Sequence, residues 1–157
     1  MKTRKALSLF AAAAMAFSLA ACGAPQAGAR GSSGSTDETD VTAAFVFSDS
    51  GITVSSGNSG YDIDGTALTI ESAGTYTVSG SCADGSIKIK KDTVGVTLVL
   101  EGLTLTSADT APITCGKSTA VTILAAGGTK NTLTDSERNN DASYPDNSSA
   151  ENAVIKC

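Results

Sequence analysis

The chain has 157 residues, with 11 Lys and Arg against 16 Asp and Glu, and it contains neither histidine nor tryptophan. The net charge of −5 speaks against nucleic acid as a partner, since phosphate binding rests on clustered basic side chains. It speaks equally against an anionic polysaccharide, unless cations bridge the two.

Residues 1–21 read as an export signal. Lys2, Arg4 and Lys5 form the charged start, Ala6 to Leu19 the apolar core, and Leu19-Ala20-Ala21-Cys22 the small-residue close. The core is too short for a comfortable membrane span. The Leu-Ala-Ala-Cys ending resembles the bacterial lipobox. That resemblance implies that Cys22 is diacylated and becomes the new N-terminus, on the extracytoplasmic face of a bacterial cell membrane. Two acyl chains bury enough methylenes to anchor stably. The alternative is an ordinary secretory signal with an incidental cysteine. Losing Lys2, Arg4 and Lys5 with the signal leaves the remainder still more acidic.

Residues 22–40 form the tether. They are Gly, Ala and Ser with a closing acidic cluster of Asp37, Glu38 and Asp40, and cannot bury a core. A flexible stretch of this length spans roughly 20–25 Å. The folded domain is expected over 41–157. Its first part, Val41 to Asp64, carries short strand signals at Phe45-Val46-Phe47, Gly51-Ile52-Thr53-Val54 and Tyr61-Asp62-Ile63-Asp64. It is expected to cap the rest, because an open sheet end exposes apolar residues and unpaired backbone.

From Ala67 onward no segment has a helical period, and short alternating runs recur. Ala67–Ile70, Val96–Val99 and Ala120–Ile123 form one set. Tyr76–Ser79, Leu103–Thr106 and Asn131–Thr134 form a second. Ser86–Ile89, Pro112–Cys115 and Val154–Cys157 form a third. Ile70 and Leu98 lie 28 residues apart, as do Leu105 and Leu133. Three strand sets returning at a near-constant period predict a three-faced solenoid of about three coils. The expected fold is therefore all-β: a right-handed parallel β-helix, by the usual sense of parallel crossovers. A leucine-rich repeat would show its Leu/Asn consensus, and a β-sandwich of hairpins would not align in three registers. The chain stops at Cys157 within a strand signal, so a domain truncated at its C-terminus is expected.

Stacking sets Thr77, Thr104 and Thr132 in one outward row, and Ser79, Thr106 and Thr134 in the next. Such a hydroxyl lattice can dock a sugar chain or, in principle, ice. The plainer alternative is that threonine favours exposed strand positions. Thr77, Thr104, Thr106, Thr132 and Thr134, with Tyr144, make up the candidate carbohydrate-binding face. Cys115 and Cys157 occupy the same rung position within disulfide range. Stacked parallel side chains point poorly at one another, so two small buried hydrophobes are the expected reading. Catalysis has poor material: Lys88 and Lys156 read as solvated edge charges, and Glu101, Asp109 and Asp135 form no evident acid–base pair.

One series of segments carries a family resemblance. It comprises Gly51-Ile52-Thr53-Val54, Gly74-Thr75-Tyr76-Thr77-Val78-Ser79-Gly80, Val96-Thr97-Leu98-Val99-Leu100, Asn131-Thr132-Leu133-Thr134-Asp135 and an acidic loop before Asn152-Ala153-Val154-Ile155. In this series the chain resembles the bacterial carbohydrate-binding β-helix family of the clostridial cellulose- and polygalacturonate-binding type. The resemblance implies a pectate-lyase-like fold that binds cellulose-like and acidic plant polysaccharides, with calcium as cofactor.

The residues themselves offer a candidate calcium site. Asp135 leaves a strand, and Asp141, Asp146 and Glu151 follow in an acidic excursion that reaches Asn152. Calcium takes six to eight oxygens of this kind, and an ion there could join the acidic domain to uronate carboxylates. A solvated acidic loop is the alternative. The reading is a monomeric, non-catalytic, polysaccharide-binding surface lipoprotein that meets the membrane only through its lipid. A structural or adhesive surface solenoid is one alternative, and a divergent lyase with its active site in a missing part is another.

Overall fold

The computed structural model describes residues 40–140, 142–143 and 153–157, and every regular element among them is a β-strand. In chain order these are β1 (Val41–Ser48), β2 (Gly51–Ser56), β3 (Tyr61–Asp64), β4 (Ala67–Ile70), β5 (Gly74–Cys82) and β6 (Ser86–Ile89). They continue with β7 (Val94–Ser107), β8 (Ile113–Cys115), β9 (Ala120–Ala125), β10 (Thr132–Asp135) and β11 (Ile155–Lys156). The all-β expectation holds, and the described strands belong to one compact unit.

Two sheets form, and neither closes. One runs β10-β7-β5-β1-β2, with β9 also on β7, and the other runs β11-β8-β6-β4-β3. Pairing is parallel from β1 through β5 and β7 to β9 and β10, and from β4 through β6 and β8 to β11. Only β2 on β1 and β3 on β4 run antiparallel, at the N-terminal side of each sheet. Part of the expected cap is thereby reassigned. Strand β1 is itself the first parallel rung, and β2 with β3 lies beyond it.

Alternation sends one side of each rung inward. Leu68, Ile87 and Ile113 stand side by side and are fully buried, as are Ile70 and Ile89 in the neighbouring column. Tyr76 and Leu98 form a further buried pair, next to Val78 and Leu100. Each such side chain removed from water contributes about 1.5–3 kcal/mol. In the last rung this cover thins. Val121, Ile123 and Leu133 are only partly buried, and Ile155 is 40% exposed.

The register corrects the repeat as read from sequence. Ala67–Ile70 lies beside Ser86–Ile89, not beside Val96–Val99. Tyr76, Thr77 and Val78 lie beside Leu98, Val99 and Leu100, not beside Leu103–Thr106. The cause is where the corners fall. β5 and β7 are long strands that pass through a bend, at Gly80 and at Glu101-Gly102, and so occupy two columns each. Gly80 has φ +93°, and a Cβ there would strike the backbone of Phe47. Gly102 has φ +74° and stands in open space, so its demand is conformational alone. Asn131 completes the second bend. Its Oδ1 accepts from the Leu103 N–H at 2.8 Å, and its Nδ2 donates to the Leu100 carbonyl at 3.1 Å. Asp49 and Asp84 act similarly at another corner, accepting from the Ala83 N–H at 2.7 Å and the Ala108 N–H at 3.0 Å.

Three rings fill the N-terminal end. Phe45 meets Tyr61 edge-on at 4.7 Å and lies nearly parallel to Tyr76 at 6.4 Å. The buried Tyr76 hydroxyl donates toward the carbonyls of Ser72 at 3.0 Å and Gly60 at 3.2 Å. Burial raises its pKa above the ordinary 10.0. The folded state therefore holds this proton after the unfolded chain has lost it. The stabilisation is complete below pH 10 and declines as pH rises further. Tyr76→Phe is expected to cost about 1 kcal/mol at neutral pH, by leaving the Ser72 carbonyl short of a donor, while the Gly60 carbonyl keeps the Glu71 N–H at 2.8 Å. It should also flatten the decline above pH 10, as measured by urea denaturation across that range.

Candidate functional site

The outward sides of the rungs carry the polar groups, and pairing decides which of them meet. Thr104 stands beside Thr132, and Thr106 beside Thr134. Ser81 extends the first of these rows, because Ser81 pairs with Thr104. Thr77 is not in that row: its neighbours are Ala44 and Val99. Ser79 lies beside Val46 and so stands outside the second row. A different hydroxyl row exists that alternation alone does not reveal. Thr75, Thr97 and Thr122 are adjacent on successive rungs of β5, β7 and β9.

Next to that row runs a more apolar one of Ala44, Thr77, Val99 and Leu124. Between them and the start of β1 lies a hollow of about 630 Å³, lined by Asp40, Val41, Thr75, Thr77, Val99, Glu101 and Ala126. Two carboxylates, two hydroxyls and three aliphatic side chains thus share one concave surface. Glu101 reaches it because it sits at the β7 corner, where the chain turns outward. No phenylalanine or tyrosine among the described residues is exposed, so a flat aromatic platform is not what this surface offers.

The second sheet presents a different set. Asp62, Thr69, Lys88, Thr114 and Lys156 form one outward row. A hollow of about 340 Å³ there is lined by Lys88, Thr114 and Lys156 together with Ser86, Thr110, Cys115 and Gly116. Nearby, Lys90 bonds Glu71 at 2.8 Å with both groups well exposed. Such pairs contribute at most about 1 kcal/mol.

Beside Lys156 the structure joins Cys115 to Cys157 as a disulfide, with α-carbons 4.5 Å apart. This overturns the expectation of two small buried hydrophobes: Cys115 is half-buried and Cys157 exposed. The 4.5 Å between their α-carbons lies within the range that a disulfide spans. Cys82 is the free thiol among the described residues, buried next to Leu105.

Of the proposed calcium ligands the structure describes Asp135. Asp141, Asp146 and Glu151 lie outside the described residues, as do Tyr144 and Cys22. Among the described residues no group of three or more Asp, Glu, His or Cys is gathered closely enough to hold a metal. Asp135 ends β10, and its Oδ2 accepts from Asn139 Nδ2 at 3.0 Å. The same Asn139 nitrogen donates to the Ala153 carbonyl at 2.9 Å, and this side chain is only 1% exposed. Asn139 is the organising residue that sequence reading missed. Its signal was an asparagine four positions after a strand end, unremarkable among the other asparagines of the loop. Arg138 Nε meets Asp109 Oδ1 at 2.6 Å on the surface outside it.

A family model described as "Carbohydrate-binding domain-containing protein" matches residues 64–157, from the end of β3 through β11. No curated protein and no solved structure matches the chain.

Proposed function

The chain belongs to the carbohydrate-binding domain-containing protein family, and from that premise we propose that it is a non-catalytic, polysaccharide-binding lipoprotein. One observation carries the reading: the matched stretch, 64–157, contains β4 to β11 and with them all three hydroxyl rows. The finer fold assignment is a right-handed, three-faced parallel solenoid. Its support is the in-register stacking of β1, β5, β7 and β9 in one sheet and of β4, β6, β8 and β11 in the other. Anchoring at the extracytoplasmic face of a bacterial membrane, through lipid on Cys22, rests on the export-signal pattern of the first 22 residues. The side chains suit adsorption better than bond cleavage. The chain has no histidine, and Lys90 and Arg138 are engaged by Glu71 and Asp109.

Calcium assistance is part of the proposal and rests on the acidic composition of residues 135–152. Asp135 and Glu137 are the described carboxylates there, and Asn139 fixes Asp135 and ties the loop's start to its return at Ala153. A bound calcium would supply positive charge between this loop and a uronate carboxylate. The full chain is expected to be retained on insoluble β-linked glucan with or without a chelator. On polygalacturonate it should be retained only without one. Retention on neither polymer refutes the binding role, and chelator-insensitive retention on polygalacturonate refutes the calcium part. Release of unsaturated sugar, followed by ultraviolet absorbance, refutes the non-catalytic part.

A further inference from the structure

We infer that the hollow between the start of β1 and the rungs of β5 and β7 is the subsite for an uncharged sugar chain, with Glu101 and Asp40 setting its preference against uronates. The inference rests on the carbohydrate-binding role and says where that role is performed.

The lining matches what a sugar ring presents. A ring has an apolar C–H face and a rim of hydroxyls. Val99 and Val41 offer aliphatic surface, and Thr75 and Thr77 offer hydroxyls on the same wall. The volume of about 630 Å³ falls within the range of small-ligand sites. Glu101 and Asp40 are acceptors only, and a carboxylate accepting from a sugar hydroxyl forms a charge-assisted bond, stronger than a neutral one. Among the described residues of the lining neither carboxylate has a basic neighbour, so both can accept and both repel a like charge. The hydroxyl row Thr75, Thr97 and Thr122 repeats across rungs about 4.8 Å apart, so a chain lying across the rungs meets the same donor and acceptor at each step. The lysine-lined hollow on the second sheet has the opposite charge and provides an internal contrast.

Glu101 is the discriminating residue. It projects from the corner made by Gly102, away from the packed core, so its charge can change without disturbing a buried contact. A uronate placed in the hollow would bring a carboxylate close to two others. Like charges brought this close at a protein surface repel.

The test uses the full chain and two soluble probes of equal length, a β-linked glucose oligomer and an oligogalacturonate, titrated calorimetrically in chelator-containing buffer. The wild-type chain is expected to bind the glucose oligomer and to bind the uronate at least about tenfold more weakly. Val99→Arg fills the hollow and should weaken glucose-oligomer binding by about tenfold or more. Glu101→Lys should strengthen uronate binding by about tenfold, a gain that a folding defect cannot produce. Lys88→Ala, on the other sheet, should leave glucose-oligomer binding unchanged. Wild-type affinities in both hollow variants overturn the site while leaving the binding role intact. Failure of the wild-type chain to bind either probe overturns both.

Discussion

Replacing Leu98 with alanine is expected to lower the unfolding free energy by about 3–4 kcal/mol, a large part of the stability of a domain this size. Leu98 is fully buried on β7, with Tyr76 beside it on one rung and Ile123 on the next. Truncation opens a cavity between two neighbours that are themselves held by parallel ladders, so the walls cannot collapse far. Leu124→Ala, at the residue that follows Leu98's partner Ile123 and is 48% exposed, is the control. It should cost about 0.5 kcal/mol or less. Urea denaturation of the two variants checks the contrast. Equal losses would mean that Leu98 is not packed as described.

Opening the Cys115–Cys157 disulfide should have the next largest effect. It closes a loop with a sequence separation of 42. In the chain-entropy account, a loop of this size stabilises the folded state by about 4 kcal/mol. Strand β11 has two residues and, among the described strands, pairs with β8, and the bond is the covalent tie that holds it there. The double variant Cys115→Ser/Cys157→Ser is therefore expected to lose about 2–4 kcal/mol. Hydrogen exchange should show β11 opening well before β5 and β7. Uniform loss of protection across all rungs would contradict this account.

Much of the architecture was legible because burial acts on alternation. The aliphatic positions of the alternating runs, such as Leu68, Ile87, Ile113 and Leu105, are buried. The third strand set, from Ser86–Ile89 through Ile113–Cys115 to Ile155-Lys156, stacks as its offsets imply. The column to which a strand belongs was harder to read. A period of two is the same in every column, so Ala67–Ile70 fits the pattern of Val96–Val99 as well as that of Ser86–Ile89. What separates the columns is the position of the bends, set by Gly80, Gly102 and a side chain as distant as Asn131. Misplacing one bend moved Thr77 from beside Val99 to beside Thr104.

The candidate site was less legible for a related reason. Asp40 and Glu101 are 61 positions apart and share a hollow only because β1, β5 and β7 pair in sequence. Neither is part of a local motif. The cysteine pair was placed correctly and its state was not. Stacking alone argued for packed thiols, whereas the two sulfurs are bonded across neighbouring strands.

The two antiparallel strands, β2 and β3, give the assembly a direction. Among the described strands they close one side with reversed backbone, where the parallel stacking stops. Every parallel rung, by contrast, offers its successor the same ladder. Duplicating a unit such as β7–β8 would lengthen the body by about 4.8 Å without remaking that blunt end. The length of the parallel stack is thus set by copy number, like graduations on a ruler.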